Sequence, residues 1–529
     1  MKNIKIKVLS LAFIALMFQS CLNDLEVTPE GETQKSADEF YSEPGAYTQA
    51  IAGVYGNLSL TGTGGAESSS IGGIDAGTSQ YGRVLWYMQN LCTDEVIWSY
   101  ENDPGTREIQ RNIWNATNPI IQGMFSRAMF QVALVNEFLR QSTDEKLAAR
   151  GISAAESATI ADYRNEAKVL RALAYYHMMD LFGKAAFNTE NEAVGVTGPE
   201  YNRAQLFDFV TSELTTVLPS LKAAGTNEQG RLDQGMANMI LAKVYLNAEV
   251  YTGTAMHQQA MDAAMAVING GYTLNPNYLN NFNADNNTSS ELIFGLQSDG
   301  TATQNYGPTT VIINGQVGSI EGNGADFGVG GWGGALRLRK QFVEKFDSAE
   351  YTNDTRNTII SGSRDIEIAD ITNRDSGYIL AKFSNISSTG VAGISSTFVD
   401  TDFPLFRLAD AHLMYVEAQV RKDGTANATS VGFINALRER ANGGSTAANV
   451  SASDITLDFI LDERSRELHW EAHRRQDLIR FGKFTGGSYN WAWKGNGSNG
   501  IAISSHLKLF PIPQASLASN PNLTQNTGY

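Results

Sequence analysis

His469 and His473 stand four residues apart in His469-Trp470-Glu471-Ala472-His473, the spacing at which one helix face presents two imidazoles to a metal ion. A zinc hydrolase of this type needs Glu directly after the first His, where Trp470 stands. The inverted form needs Glu directly before the second, where Ala472 stands. With no third ligand in the pattern, the two histidines read as packed or solvated side chains, and no metal site is assigned. Glu463, Glu467 and Glu471 form a row at every fourth residue, interleaved with Arg464, Arg466, Arg474, Arg475 and Arg480. Guanidinium groups hold carboxylates ionised, the wrong state for a general acid, so the row reads as an ion-pair element that ties helices together. Asp94-Glu95 is a second acidic pair, but sequence neighbours do not face one cleft as a glycosidase pair must. Two runs, 328–333 and 495–500, match G-x-G-x-x-G. Neither follows an apolar strand, and Trp332 would crowd a pyrophosphate. G-x-S-x-G, P-loop and Cys-x-x-Cys motifs do not occur. No catalytic residue and no cofactor are therefore assigned. Asp and Asn are plentiful enough to leave a structural calcium ion open, although no EF-hand-like spacing is present.

A different chemistry rises above this background. Tyr81, Trp86, Tyr87, Trp98, Tyr100, Tyr306, Trp332, Trp491 and Trp493 concentrate in segments without periodicity. Flat aromatic faces stack on the C–H faces of sugar rings, and amide, carboxylate and guanidinium groups beside them bind hydroxyls. The candidate glycan-binding set is Trp98, Trp332, Tyr81, Tyr100, Asp75, Gln80, Asn102, Asn305 and Tyr306. Trp98 and Trp332 are expected to keep a face open, because their neighbours are polar or glycine.

The elements that must position these residues are mostly helical. The chain has 529 residues, 18% of them charged, and a formal net charge of −16. That charge repels phosphate backbones and makes nucleic acid a poor partner. Two cysteines exclude a disulfide framework. Residues 1–20 read as a signal peptide: Lys2, Lys5 and Lys7 precede an apolar run, Val8 to Phe18, that is too short to span a bilayer. Phe18-Gln19-Ser20-Cys21 reads as a lipoprotein cleavage site with Cys21 lipidated, although Phe18 and Gln19 depart from the usual pattern. Residues 21–36 read as an acidic, polar tether, and Cys92 as a buried thiol. Apolar spacing of i, i+3, i+4, i+7 predicts helices over 119–140, 154–183, 203–221, 232–250 and 255–269, then 336–347, 407–422, 428–441 and 453–480. The turn 251–254 makes the fourth and fifth antiparallel neighbours. A helical scaffold is thus expected mainly at 119–270 and 407–482 of a body covering 37–529. A loop-rich, ligand-binding region is expected at 61–118, 274–400 and 484–505, with a short strand at 291–296 and strands within 356–400.

The ordered motifs resemble the SusD/RagB family of Bacteroidetes surface lipoproteins. Glu166 to Tyr176 with Leu181-Phe182-Gly183, Gly230-Arg231 with Ala242 to Leu246, and Arg407 to Asp410 with Tyr415 to Ala418 are similar to its helical segments. Asn435 with Arg438 and Arg440, Ile460 to Leu468, His473 to Gly482, Pro511-Ile512-Pro513, Asn520 to Leu523 and Gln525 to Tyr529 follow in order. The resemblance covers essentially the whole chain. It implies a mainly α fold of tetratricopeptide-like helical pairs carrying the loop-rich region. It also implies a non-catalytic lipoprotein, anchored in the outer membrane and facing the exterior, that binds an oligosaccharide and delivers it to a SusC-like TonB-dependent transporter. A peptide-binding or other nutrient-binding lid of such a transporter, as in the RagB branch, is the alternative. A lipid-anchored glycoside hydrolase is a more remote one. The quoted motifs lie in the scaffold, so the resemblance assigns no ligand-contacting residue.

Overall fold

The computed structural model describes residues 35–529. Cys21, the segment 1–20 and nearly all of the tether lie outside the described residues. Helices dominate. The first four are α1 (Ala37–Tyr41), α2 (Ala46–Ser59), α3 (Tyr81–Trp86) and α4 (Thr106–Gln110). Then come α5 (Pro119–Gln141), α6 (Asp144–Ala149), α7 (Ala154–Leu181), α8 (Arg203–Val217), α9 (Gln234–Leu246), α10 (Ala248–Thr252) and α11 (His257–Ile268). After α12 (Pro308–Gln316) and α13 (Lys340–Val343) the array resumes with α14 (Leu408–Asp423), α15 (Ala428–Ala441), α16 (Leu457–Leu468) and α17 (Arg474–Arg480), and α18 (Gln514–Ser519) is the last.

Local chemistry sets these boundaries. Asn118 accepts from the N–H groups of Ile120 and Ile121 while Pro119 takes the first helical position of α5. Ser153 caps α7, and Asn202 with Gln205 closes a reciprocal capping box on α8. The apolar stripes then bury against one another in sequence order. α2 packs on α5, α5 on α7, α7 on α8, α9 on α11, α11 on α14, and α14 on α15 and α16. This is a scaffold of successive helical pairs, and α9 and α11 are the neighbours that the short turn between them requires.

The strands are short and form four two-stranded antiparallel ladders. β1 (Val96–Trp98) pairs with β5 (Leu336–Leu338), β2 (Lys184–Ala186) with β3 (Glu200–Asn202), β4 (Leu292–Leu296) with β8 (Phe403–Arg407), and β6 (Ile359–Ile360) with β7 (Ile379–Leu380). The β1–β5 and β4–β8 ladders sew the loop-rich segments to each other and to the scaffold.

Two predicted helices differ. The window 336–347 begins as β5 and holds only the short α13, because Leu336 and Leu338 are paired with Trp98 and Val96 across the ladder. The window 453–480 breaks at 469–473, where Trp470 and Ala472 adopt left-handed backbone (φ 63° and 62°). The break is held from outside. Trp470 N–H donates to Glu95 Oε2 (3.1 Å), Ala472 N–H to Asn90 Oδ1 (2.7 Å), and Trp86 Nε1 to the Trp470 carbonyl (3.0 Å). His469 and His473 therefore share no helix face. Both are buried, and burial pushes their imidazoles well below the usual value.

The carboxylate row is structural, as expected, but mostly not through the interleaved arginines. Glu467 pairs with Arg356, Arg407 and Arg440, and Glu471 with Lys382 and Arg407. Glu463 pairs with Arg356 and Arg438, and with Arg466 of its own helix. Arg464 instead meets Asp410 and Asp477, Arg474 meets Asp94, Arg475 meets Asp180, and Arg480 meets Glu417 and Asp477. Burial alone would raise the Glu463 carboxyl, but Arg356, Arg466 and Arg438 hold it at about 2. Asp94 and Glu95 are both inside this core. Cys92 is buried too, its thiol donating to the Met88 carbonyl and pushed up by burial to about 12.

Asp402, just before β8, carries a pH dependence. Its Oδ1 accepts from Ser298 N–H (2.9 Å), and burial pushes its carboxyl up to about 7. The folded state thus holds a proton that the unfolded chain releases near pH ~4. The associated stability is complete below that pH and is lost as pH rises through 7. Asn at this position keeps the acceptor and does not titrate. Asp402→Asn is therefore expected to melt at least ~2 °C above wild type at pH 8, with the gap narrowing towards pH ~4. Thermal melts across this range check it, and a gap of equal size at pH 5 and pH 8 would refute it.

Candidate functional site

The aromatic candidates converge through the β1–β5 ladder. Trp98 lies opposite Leu336, and Ser99 N–H donates to the Ala335 carbonyl (2.8 Å). The glycine-rich turn before β5 is thereby laid over Trp98. This turn uses the glycines that mimic a nucleotide motif. Gly331 has φ 80°, and a Cβ there would sit 2.6 Å from Val317. Asn314, near the end of α12, accepts from Gly331 N–H with its side chain (3.2 Å) and from Trp332 N–H with its carbonyl (2.8 Å).

The result is a stack of edge-on rings. Trp98 lies 6.2 Å from Tyr87, 5.7 Å from Tyr100 and 6.1 Å from Trp332, centroid to centroid. Tyr100 donates its hydroxyl to the Trp332 carbonyl (2.5 Å) and accepts from Arg374 Nη1 (3.1 Å), whose guanidinium sits over the Tyr100 ring. Trp332 and Tyr100 are partly exposed, and Asn102 and Arg374 are exposed beside them. Trp98 departs from expectation. It is 2% exposed, and its Nε1 is spent on Asp103 (2.9 Å). It is the floor on which Trp332 rests rather than a second open face.

The remaining candidates form a second group around the 75–80 and 303–307 turns. Tyr306 packs against Phe398 (5.2 Å) and over Gly77, where a Cβ would lie 3.1 Å from the ring. Asp75 is exposed but caps its own turn, accepting from Thr78 N–H (2.7 Å) and Oγ1 (2.8 Å), and those bonds lower its carboxyl. Three others are corrected by burial. Gln80 caps α3 and donates to the Leu58 and Ser59 carbonyls. Tyr81 is bonded to His177 Nδ1 (2.8 Å). Asn305 closes a turn onto Gly307 N–H (2.7 Å) and the Thr303 carbonyl (2.6 Å). Each has its polar atoms committed inside the protein, which leaves Trp332, Tyr100, Tyr306, Asn102 and Asp75 as the accessible candidates.

Two elements join the groups. α12 starts at Pro308, just after Tyr306, and holds the Trp332 backbone through Asn314, so one helix ties the two groups together. Arg83 on α3 bridges the other side. Its Nε donates to Tyr87 OH (3.1 Å) and its Nη1 to the Gly77 carbonyl (3.2 Å), while Nη2 has no partner among the described residues. Arg83, Arg374 and Phe398 join the candidate surface in the structure and were not named by sequence reasoning. They carry no periodic signal and reach the site only through the fold. The surface they frame offers the partly exposed rings of Trp332, Tyr100 and Tyr306, the exposed Arg374 guanidinium, the Arg83 guanidinium at only 7% exposure, and the exposed Asn102 and Asp75 side chains. Among the described residues no group of three or more His, Cys, Asp or Glu side chains could hold a metal ion.

Comparison with known proteins gives a consistent picture. The model of the SusD family matches residues 241–529. The starch-binding protein SusD of Bacteroides thetaiotaomicron is 30% identical, over 98% of this chain and 98% of its own. A crystal structure of a SusD homolog from the same organism superposes with a TM-score of 0.71 at 19% identity, covering 94% of this chain and all of that one. Surface glycan-binding protein A of B. thetaiotaomicron, solved in complex with laminarihexaose, gives a TM-score of 0.68 at 20% identity, over 91% and 99% of the two chains.

Proposed function

The chain belongs to the SusD family, and from that premise we propose that it is a non-catalytic, surface-exposed glycan-binding protein. The observation that carries the reading is the Trp332–Tyr100 platform, fixed by hydrogen bonds to the Trp332 backbone and tied through α12 to the turn of Tyr306. A ring stacks on Trp332, the chain runs towards Tyr306, and hydroxyls meet Arg83, Arg374, Asn102 and Asp75. Rigid aromatic faces bind at small entropic cost. The names of the starch-binding relative and the laminarihexaose complex support an oligosaccharide as the ligand class.

In this reading Cys21 carries the lipid that anchors the protein in the outer membrane, facing outward, and the ligand passes to a SusC-like TonB-dependent transporter. Tethering both proteins in one membrane raises their effective concentration, so a weak and rapidly exchanging glycan site suffices. No cofactor is part of the proposal. Nor is catalysis, since the carboxylates of the 463–471 row are buried and paired with cations.

The test is titration of the purified protein with maltohexaose and laminarihexaose, with product analysis of the same mixtures. Saturable binding of at least one, with the sugar recovered intact, is the expected outcome. Release of shorter sugars would overturn the non-catalytic reading. Absence of binding, with a peptide captured instead, would favour the RagB-like role. In cells, acyl labelling is expected to disappear in Cys21→Ser.

A further inference from the structure

Beside the turn that carries Tyr306 lies a cleft of about 360 Å³, enclosed by α2, the 228–231 turn and β4. That is the size range of small-ligand sites. Its apolar wall is formed by Ile51, Leu58, Phe294 and Leu296, with Tyr55 and Tyr163 as aromatic faces. Tyr55 is partly exposed and rigidly oriented. Its hydroxyl donates to Glu166 Oε2 (2.6 Å) and accepts from Leu232 N–H (3.1 Å). Tyr163 is already covered by the Arg231 guanidinium, 4.8 Å above the ring.

Charge decides what this cleft can take. Arg231, the one cationic side chain lining it, is neutralised by a two-pronged contact with Glu166 and by Glu228 (3.4 Å). No positive charge is left over to recognise an anion, and the unbalanced charge is the carboxylate of Glu228, whose side chain is 80% exposed at the edge of the cleft. Away from Glu228 the rim is neutral: the Gln297 side chain makes no hydrogen bond among the described residues, Gln229 uses only its amide nitrogen, on the Asn287 carbonyl, and Thr303 lies beside them. An uncharged molecule with an apolar face and hydroxyl edges fits this pattern. Hydrogen bonds tie the walls of the cleft to the elements of the first site. Asn305 binds the Thr303 carbonyl, and Gln80, the cap of the helix bearing Arg83, binds the Leu58 and Ser59 carbonyls.

We infer that this cleft is a second saccharide site, in which a terminal unit of a neutral oligosaccharide stacks on Tyr55 and bonds Gln229, Gln297 and Thr303. The inference rests on the glycan-binding reading and extends it. Gly56→Phe provides a filling variant: a Cβ at Gly56 meets only Leu60 Cδ1, at 4.0 Å, and a helix interior accepts Phe better than Gly. Binding stoichiometry is measured by calorimetry and native mass spectrometry with maltohexaose and laminarihexaose. Wild type is expected to bind two equivalents of at least one sugar. Gly56→Phe and Trp332→Ala should each retain one equivalent at wild-type affinity, and the double variant none at that affinity. Tyr55→Ala should weaken the second equivalent by about ten-fold while Tyr55→Phe leaves it. One equivalent in wild type, lost in Trp332→Ala and untouched by Gly56→Phe, would overturn the second site and leave the first standing. Absence of binding to wild type would overturn both.

Discussion

Trp332→Ala is expected to weaken oligosaccharide binding by about 10- to 100-fold without unfolding the protein. Trp332 is held by its backbone, through Asn314 and Tyr100, so truncating the ring leaves the turn in place. What is lost is the exposed stacking face, and what is uncovered is the edge of Trp98 beneath it. Trp332→Phe keeps a smaller face and should recover part of the affinity. Trp98→Ala is a different experiment: it removes a fully enclosed side chain that contacts three other rings, and should lower the melting temperature as well as the affinity. Calorimetric titration with maltohexaose and laminarihexaose, alongside thermal melts, separates the cases. Affinity unchanged in Trp332→Ala would remove this platform from the binding site.

Arg407→Ala is expected to lower stability by about 3–5 kcal/mol. Arg407 is 1% exposed and bridges Glu291, Glu467 and Glu471, at 2.7, 2.7 and 2.6 Å. Its neighbour Arg440 shares Glu291 and Glu467 with it, and Lys382 shares Glu471, so the cluster balances only as a whole. Removing the shared cation leaves three buried carboxylates with too few partners. The full desolvation penalty then appears, because water cannot reach them. Arg407→Lys returns the charge but not the forked geometry, and should recover only part of the loss. Because β8 ends at Arg407 and pairs with β4, the damage should spread along that ladder into the loop-rich region. Thermal melts measure the effect, and a melting temperature within about 2 °C of wild type would refute it.

The core of the helical scaffold was legible in sequence because its signals are local. A stripe repeating every 3.6 residues, a capping side chain and a terminal glycine lie within one window, and α5, α7, α11, α14 and α15 appear close to where the spacing puts them. α2 and α12 were less legible. α12 is rich in Thr, Val, Ile, Asn and Gly, whose local preferences favour strand or turn, and its nine residues are all buried. The ladders of two to five residues are too short to show an alternation of their own. β5 therefore read as the start of a helix until its partner, more than two hundred residues away, was in place.

The sequence by itself determined the family, the mainly helical class and the aromatic chemistry of the candidate surface. It also determined that the acidic row on 463–471 would be neutralised by cations. Only the tertiary structure decided which cation meets which carboxylate, since Arg407 reaches acids 60 to 116 positions distant. It also decided which aromatic faces stay open. Trp98 and Trp332 have similar polar and glycine-rich neighbours in sequence, but the β1–β5 ladder lays the glycine turn over Trp98 and leaves Trp332 uppermost. Composition says that a ring is present. Exposure is set by what the chain brings across it from elsewhere, and long-range pairing alone fixes that.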